Sequence, residues 1–180
     1  MNLVHFQSVR VQTYKYDTTD EMDSFSIWSR GYFYTRLQNP TNDAVAAKIA
    51  NLEGGVAAIL TSSGQAANFY AVFNICEAGD HVVAASTIYG GTFNLLAVTF
   101  KKLGIDCTFV DTDASLKKSQ LPSVRIQKYF RRNYRKPGSG NSGYWKIRKR
   151  LLTKHEVPLI VDNTFATPVN CRPFEWGADI

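Results

Sequence analysis

The stretch VPLIVDNTFATP, residues 157–168, decides the fold class of this 180-residue chain. Its first five residues are mostly aliphatic or β-branched, and its second half breaks into turn-forming residues. Such a run is typical of a strand that is covered on both faces in a parallel sheet. Asp162 stands at the carboxyl end of this strand, where ligands collect in open α/β sheets. Asp162 therefore either meets a ligand or caps the following turn, and this stretch alone leaves both interpretations open.

Strand and helix patterns alternate along most of the chain from Asn42 to Ile180. Helices are predicted for DAVAAKIANLEGG (43–55), GQAANFYAVFNICEAG (64–79) and GTFNLLAVTFKKLG (91–104), and strands for VAAILT (56–61), HVVAA (81–85) and IDCTFV (105–110). Repeating units of this kind predict an α/β fold with a parallel sheet and right-handed crossovers. The polar and aromatic residues before the first helix show no sustained period and are predicted to form an extended arm against a partner.

Composition excludes several classes of protein. With 44% hydrophobic and 13% aromatic residues, the chain can bury a core. Its three cysteines lie far apart without CxxC spacing, and its three histidines add no metal pattern. No apolar run is long enough for a membrane span, and the N-terminus lacks the apolar region of a signal peptide. We therefore expect a soluble, cytoplasmic protein with reduced thiols and no structural metal.

The positive net charge comes from a single stretch, residues 117–154. This stretch holds 13 of the 21 Lys and Arg residues and none of the 15 Asp and Glu residues, so the rest of the chain is acidic. It also contains aromatic residues and a PGSGNSG segment, a composition that leaves nucleic-acid binding open as an alternative function. Repulsion between its like charges predicts that residues 117–154 are irregular.

Two further motifs follow predicted strands. TSSGQAAN (61–68) places small residues where a strand gives way to a helix, so the amides of Gly64 and Gln65 could hold an anion, although an ordinary turn capped by serine fits as well. STIYGGT (86–92) places Tyr89 after the HVVAA strand, and Gly90 and Gly91 leave space around its ring. Tyr89 could stack on a planar cofactor or simply pack. Together with Asp162, these features suit a flat, phosphorylated nitrogen heterocycle.

The motif YTRLQNPTND (34–43) precedes the first predicted helix. Arg36 could bind a phosphate with its bidentate guanidinium, or it could pair with Asp43 at the surface.

Six ordered motifs carry a family resemblance. YTRLQNPTND, LEGG, TSSGQAAN, STIYGGT, VDNTFATP and RPFEWGADI resemble the N-terminal half of the pyridoxal-phosphate enzymes of cysteine and methionine metabolism. The resemblance covers about residues 31–115 and 155–180, and the SGQA form favours the O-acetylhomoserine sulfhydrylase branch. It implies a truncated fold-type I large domain, which is a mostly parallel sheet flanked by helices.

The resemblance also implies roles for single residues. The amides of Gly64 and Gln65 would hold the phosphate of pyridoxal 5'-phosphate, and Tyr89 would stack on its ring. Asp162 would pair with the protonated ring nitrogen, and Thr164 would belong to the same cofactor-binding set. Tyr89 and Asp162 are thus the expected catalytic residues of this chain.

Further implications concern assembly and substrate. Residues 1–41 would form the arm that contacts a neighbouring subunit, where Tyr34 and Arg36 would reach the cofactor phosphate. Residues 42–180 would form a partial cofactor-binding domain, and the family's assembly would be a homotetramer built as a dimer of dimers. The implied substrates are O-acetyl-L-homoserine and sulfide or a thiol, with no membrane and no nucleic acid involved.

Two departures from the family pattern qualify this expectation. The family's Schiff-base lysine lies in an STTK motif soon after GADI, and this chain ends at Ile180. Residues 117–154 lack the family's usual sequence apart from a faint echo in RIQKYFRRN (125–133). The chain is therefore expected to be catalytically incomplete by itself. An inactive fragment or the product of a degraded gene copy is the alternative.

Overall fold

The computed structural model describes residues 8–20, 31–110, 128–132 and 157–180. The chain divides into two compact units. The smaller unit contains Met1–Asn51 and Gly55–Leu60, and the larger unit contains Leu52–Gly54 and Thr61–Ile180. The larger unit carries the sheet.

The sheet has four strands, β1 (His81–Ala85), β2 (Asp106–Val110), β3 (Lys128–Arg132) and β4 (Leu159–Asp162). Their spatial order is β2-β1-β3-β4, and every neighbouring pair is parallel. The α/β fold predicted from the sequence is therefore confirmed. β2 and β3 lie on opposite sides of β1, so strand order runs in opposite directions on the two sides of the boundary between β1 and β3. This boundary is a topological switch point of the sheet. Ligands bind at such switch points, beyond the carboxyl ends of the strands.

Strand β1 lies in the middle of the core. Its last four residues point alternately to the two faces of the sheet and are almost fully buried, as expected for a strand that is covered on both faces. The buried cluster around it consists of Val72, Cys76, Val82, Ala84, Ala85, Ile88, Leu96, Phe100, Ile105 and Ile160. This single cluster joins residues of the two helical segments before and after β1 in the chain to β1 itself and to Ile160 of β4.

Two helical segments supply Val72, Leu96 and Phe100 to this cluster. Helix α2 spans Gly64–Phe73, shorter than the predicted 64–79. The second segment begins as α3 (Gly90–Asn94), passes through a π-helical turn (Leu95–Thr99) and ends as α4 (Phe100–Lys102). The Phe69 and Phe100 rings stack with centroids 5.3 Å apart, which fastens α2 to α4.

The chain after β4 folds back along that strand. It forms the short helix α5 (Thr167–Asn170) and a 3-10 turn (Pro173–Trp176). Ile180 then donates its amide to the carbonyl of Leu159 at 3.2 Å and accepts from the amide of Val161 at 2.9 Å. These bonds continue the parallel hydrogen-bonding pattern on the side of β4 away from β3.

The smaller unit contains most of helix α1 (Pro40–Glu53), which confirms the first predicted helix. Asn39 caps its start, because the Asn39 Oδ1 accepts from the amide of Thr41 at 2.9 Å. Two extended segments before it meet in an antiparallel bridge between Thr13 and Tyr34. No helix in the described ranges is both long and apolar enough to cross a membrane.

Two of the sequence-based expectations are wrong. Residues 56–61 form no strand, and the side chains of Val56 and Ile59 are 107% and 86% exposed. An apolar run becomes a strand only where neighbouring strands pair with it, and none does so within the described parts of this chain. In the basic stretch, residues 128–132 are not irregular but form β3, paired on both edges. The rest of residues 117–154 lies outside the described residues.

Phe100→Ala should lower the free energy of unfolding by about 3–5 kcal/mol, because it empties a fully enclosed site. Phe73→Ala removes the same ring from a position that is 46% exposed and should cost clearly less. Urea denaturation of both variants measures the difference. Equal losses would show that Phe100 does not anchor the core.

Candidate cofactor site

The start of helix α2 has a serine cap and two open first-turn amides. Ser63 is extended, with φ −160° and ψ 159°, and its Oγ accepts from the amide of Ala66 at 3.1 Å. This cap leaves the amides of Gly64 and Gln65 as the helix's unsatisfied first-turn donors. Apart from its own helix and chain neighbours, no atom of the described residues lies within 4 Å of where a Gly64 Cβ would stand, so the approach to these amides is open. The TSSGQAAN segment can therefore be capped by serine and still leave amides open to an anion.

The side chains of Gln65 and Tyr89 both approach the α-carbon of Gly91. A Cβ built on Gly91 would lie 2.6 Å from the Tyr89 Cε1 and 2.8 Å from the Gln65 Nε2. Only a residue without a side chain leaves room for both groups. The expectation of space around the tyrosine ring is thus confirmed at Gly91, whereas nothing lies within 4 Å of the corresponding position on Gly90.

A partly buried hydrogen bond fastens α2 to the start of α3. The Asn68 Nδ2 donates to the Thr92 Oγ1 at 2.9 Å, and Thr92 is only 1% exposed. The same nitrogen lies 3.5 Å from the Gln65 Oε1. The helix start that carries Gly64 and the loop that carries Tyr89 are therefore joined by side chains as well as by apolar packing.

Asp162 ends β4 and is partly buried. Its Oδ1 accepts two hydrogen bonds from Thr164, one from the amide at 3.0 Å and one from the hydroxyl at 2.6 Å. The carboxylate therefore does cap the following turn, and these two donors also fix its direction. Capping and ligand binding are compatible here, since a carboxylate accepts at two oxygens.

The parallel sheet brings the carboxyl ends of β1 and β4 to the same edge. Tyr89 follows β1, and Asp162 ends β4, with only β3 between these strands. Two strand spacings correspond to about 10 Å, which is the scale of a small aromatic cofactor. Gln65 and Tyr89 both lie against Gly91, and Thr164 donates two hydrogen bonds to Asp162.

Tyr34 and Arg36 belong to the smaller unit. The Arg36 guanidinium lies over the Tyr34 ring, 5.1 Å from its centroid, and the Tyr34 hydroxyl accepts from the Gln12 Nε2 at 3.0 Å. Asp43 forms a side-chain hydrogen bond with Tyr32. Burial, followed by the hydrogen bond to Asp43 and the negative charge of that carboxylate, raises the pKa of the Tyr32 phenol.

The sequence-based interpretation missed the residues that support this edge. Asn68 and Thr92 form their bond across 24 positions, and the sequence places neither residue near the other. Ser63 carried a recognisable signal, because a serine directly before a helix start is a favoured cap.

Comparison with known proteins places this arrangement in a family. The family model for Cys/Met metabolism PLP-dependent enzymes matches residues 4–180. Homocysteine/cysteine synthase from Kluyveromyces lactis is 40% identical over 157 residues, or 87% of this chain and 35% of that protein. O-acetyl-L-homoserine sulfhydrylase from Leptospira meyeri is 39% identical over 164 residues, or 91% of this chain and 37% of that protein.

Solved structures agree with the sequence comparison. An O-acetylhomoserine (thiol)-lyase from Campylobacter jejuni, whose structure contains N'-pyridoxyl-lysine-5'-monophosphate, matches with a TM-score of 0.81 at 34% identity. The match covers 96% of this chain and 43% of that one. Cystathionine γ-lyase from Lactobacillus plantarum matches with a TM-score of 0.76 at 32% identity, over 94% of this chain and 42% of that one.

The fold is thus that of fold-type I pyridoxal-phosphate enzymes. The chain belongs to the Cys/Met metabolism family of pyridoxal-phosphate-dependent enzymes. It spans 35% and 37% of the length of the two curated relatives described above.

Gly91→Ala should displace the Tyr89 ring from the Gln65 side chain, because the new methyl group occupies the place where they meet. Gly90→Ala makes the same chemical change in open space and serves as the control. NMR of the Tyr89 ring protons should show a large shift in the first variant and little in the second. Similar spectra for both variants would contradict the described contact.

Proposed function

We propose that this chain carries the cofactor-binding part of a pyridoxal-phosphate enzyme that replaces the acetate of O-acetyl-L-homoserine with sulfide or a thiol. One observation carries the proposal: the Gln65 side chain, from the open, capped start of α2, and the exposed Tyr89 ring both approach Gly91, at the edge where Asp162 ends β4. The two curated relatives are named for this chemistry, which supports the choice of reaction.

The residues present fit the cofactor group by group. Its phosphate suits the amides of Gly64 and Gln65, where the helix dipole adds positive potential. Its ring suits the face of Tyr89, which is 52% exposed and so accessible for stacking. Its ring nitrogen suits the Asp162 carboxylate. When bound, pyridoxal phosphate supplies an electron sink for substrate carbanions.

The chain's own residues position this chemistry. Thr164 holds the Asp162 Oδ1 through two hydrogen bonds, so the carboxylate is oriented before any ligand arrives. Gln65 limits the movement of the Tyr89 ring from one side. Preorganised groups bind more strongly than groups that must first be ordered.

Tyr34 and Arg36 have a proposed role in assembly. We infer that residues 1–41 act as an arm toward a neighbouring subunit, within a homotetramer built as a dimer of dimers. Arg36 is solvent-exposed and its guanidinium is planar and always charged, which suits bidentate binding of a phosphate there. The nucleic-acid alternative loses support, because part of the basic stretch is a strand paired on both edges.

The experiment that tests the whole proposal is an assay of the longest protein that the gene encodes. Homocysteine should form from O-acetyl-L-homoserine and sulfide. Cleavage of methionine or formation of cystathionine as the dominant reaction would overturn the choice of substrate while leaving the family unchanged.

Asp162→Asn should weaken the binding of pyridoxal phosphate by this chain about tenfold or more, because an amide lacks the charge that pairs with a protonated ring nitrogen. The amide oxygen can still accept from Thr164, so thermal stability should change little. Absorbance titration and a thermal melt measure the two effects. Unchanged affinity would remove Asp162 from the site.

Borohydride treatment of the chain with pyridoxal phosphate should attach cofactor to no single lysine in stoichiometric amount. Among the lysines whose side chains are described, Lys48, Lys101 and Lys102 are exposed on helices, and Lys15 pairs with Asp17 at 3.2 Å. Peptide mass mapping makes the measurement. Full labelling of one lysine would identify a substitute nucleophile within these 180 residues.

A further inference from the structure

The LEGG motif contains a carboxylate to which the proposed function assigns no role. Glu53 ends helix α1, and both of its carboxylate oxygens lie within hydrogen-bonding distance of the Asn163 Nδ2, at 3.0 and 3.2 Å. The two residues are 110 positions apart, and both belong to the larger unit. Asn163 directly follows Asp162. The LEGG motif is thereby tied to the VDNT motif.

The Asn163 side chain anchors the turn after β4 through the hydrogen bonds that its Nδ2 donates. Its Nδ2 also donates to the carbonyl of Cys171 at 3.0 Å, so both amide protons have acceptors. Within the described residues, the buried Oδ1 has no hydrogen-bond partner. Rotating the amide would turn that oxygen toward a carboxylate and a carbonyl, which repel it. The orientation of the amide is therefore fixed by its two acceptors.

The backbone of Asn163 completes the arrangement. Its carbonyl accepts from the amide of Thr167 at 2.9 Å, and the Thr167 carbonyl accepts from the amide of Cys171 at 3.1 Å. Thr167 itself has a φ of 58°, a left-handed conformation that a threonine rarely adopts. A strained residue persists only where its surroundings determine the backbone. The hydrogen bonds of Asn163 help to fix the backbone around Thr167.

We propose that Glu53 is a positioning residue for the Asp162 carboxylate and acts through Asn163. This inference rests on the proposed function, in which Asp162 meets the ring nitrogen. Thr164 orients Asp162 from the carboxyl side of the turn. Glu53 holds the next residue of the same turn from a separate helix, so the carboxylate is fixed relative to the fold as well as to its own turn.

Three variants separate positioning from a general loss of stability. Glu53→Ala removes the acceptor. Glu53→Gln keeps one acceptor oxygen and should rescue most of the effect. Glu77→Ala removes an exposed carboxylate elsewhere in the larger unit and is the charge-matched control. None of these residues belongs to the proposed cofactor-binding set.

The first measurement is amide hydrogen exchange, which needs no cofactor. The amides of Thr164 and Thr167 should exchange about tenfold faster in Glu53→Ala, because their acceptors lie on Asp162 and Asn163. Amides of β1 should exchange as before in that variant, and Glu77→Ala should leave both sets unchanged. Unaltered exchange at Thr164 and Thr167 would overturn the proposal.

The second measurement compares pyridoxal phosphate with its 1-deaza analogue, in which carbon replaces the ring nitrogen. Glu53→Ala should weaken binding of pyridoxal phosphate severalfold and leave binding of the analogue nearly unchanged. Equal weakening of both ligands would overturn the positioning role. If the unaltered chain binds neither ligand, the proposed function of this chain fails, and the exchange measurement alone decides whether Glu53 holds the Asp162 turn.

Discussion

The parallel pairing of β1 on both of its edges is the constraint on which the rest of the structure depends. β1 pairs with β2 through five residue positions and with β3 through three, and its last four residues are buried. β2 and β3 flank the same strand, so the order of the strands in the sheet differs from their order in the chain. Because all four strands are parallel, their carboxyl ends share one edge, and the position of Tyr89 follows from the pairing of β1.

Much of this arrangement can be predicted from the sequence, because several of its strands are marked by short runs of neighbouring residues. HVVAA and IDCTFV are apolar runs flanked by turn residues, and both become strands at nearly the predicted bounds. Asp162 could be placed at a strand end because the break after Val161 is abrupt. β3 escaped prediction since its lysine and arginines hide the strand pattern, and parallel pairing depends on backbone groups that every sequence possesses. The strand prediction for residues 56–61 failed for the opposite reason: they have strand composition, but no partner strand among the described residues.

Contacts between residues that are far apart in the chain account for the features that the sequence did not predict. The bond from Asn68 to Thr92 and the bond from Glu53 to Asn163 join residues that no periodicity relates. The first bond joins the helix that begins at Gly64 to the helix that follows Tyr89, and the second ends on the residue after Asp162. The family resemblance assigns roles to the groups that would touch the cofactor, whereas the structure indicates how those groups are held. Residues that hold a site leave little mark on a single sequence because their partners are scattered along the chain.

The π-helical turn at Leu95–Thr99 has a consequence for how the chain tolerates changes in its length. A π-helical turn carries about one residue more than an α-helical turn over the same advance. Loss of one residue within this turn would let the helix run as a continuous α-helix, and the segments on either side would keep their faces. The same loss within Phe100–Lys102 would rotate the following residues by about 100° around the axis. The helix therefore has one place where a codon can be deleted without turning its buried face outward.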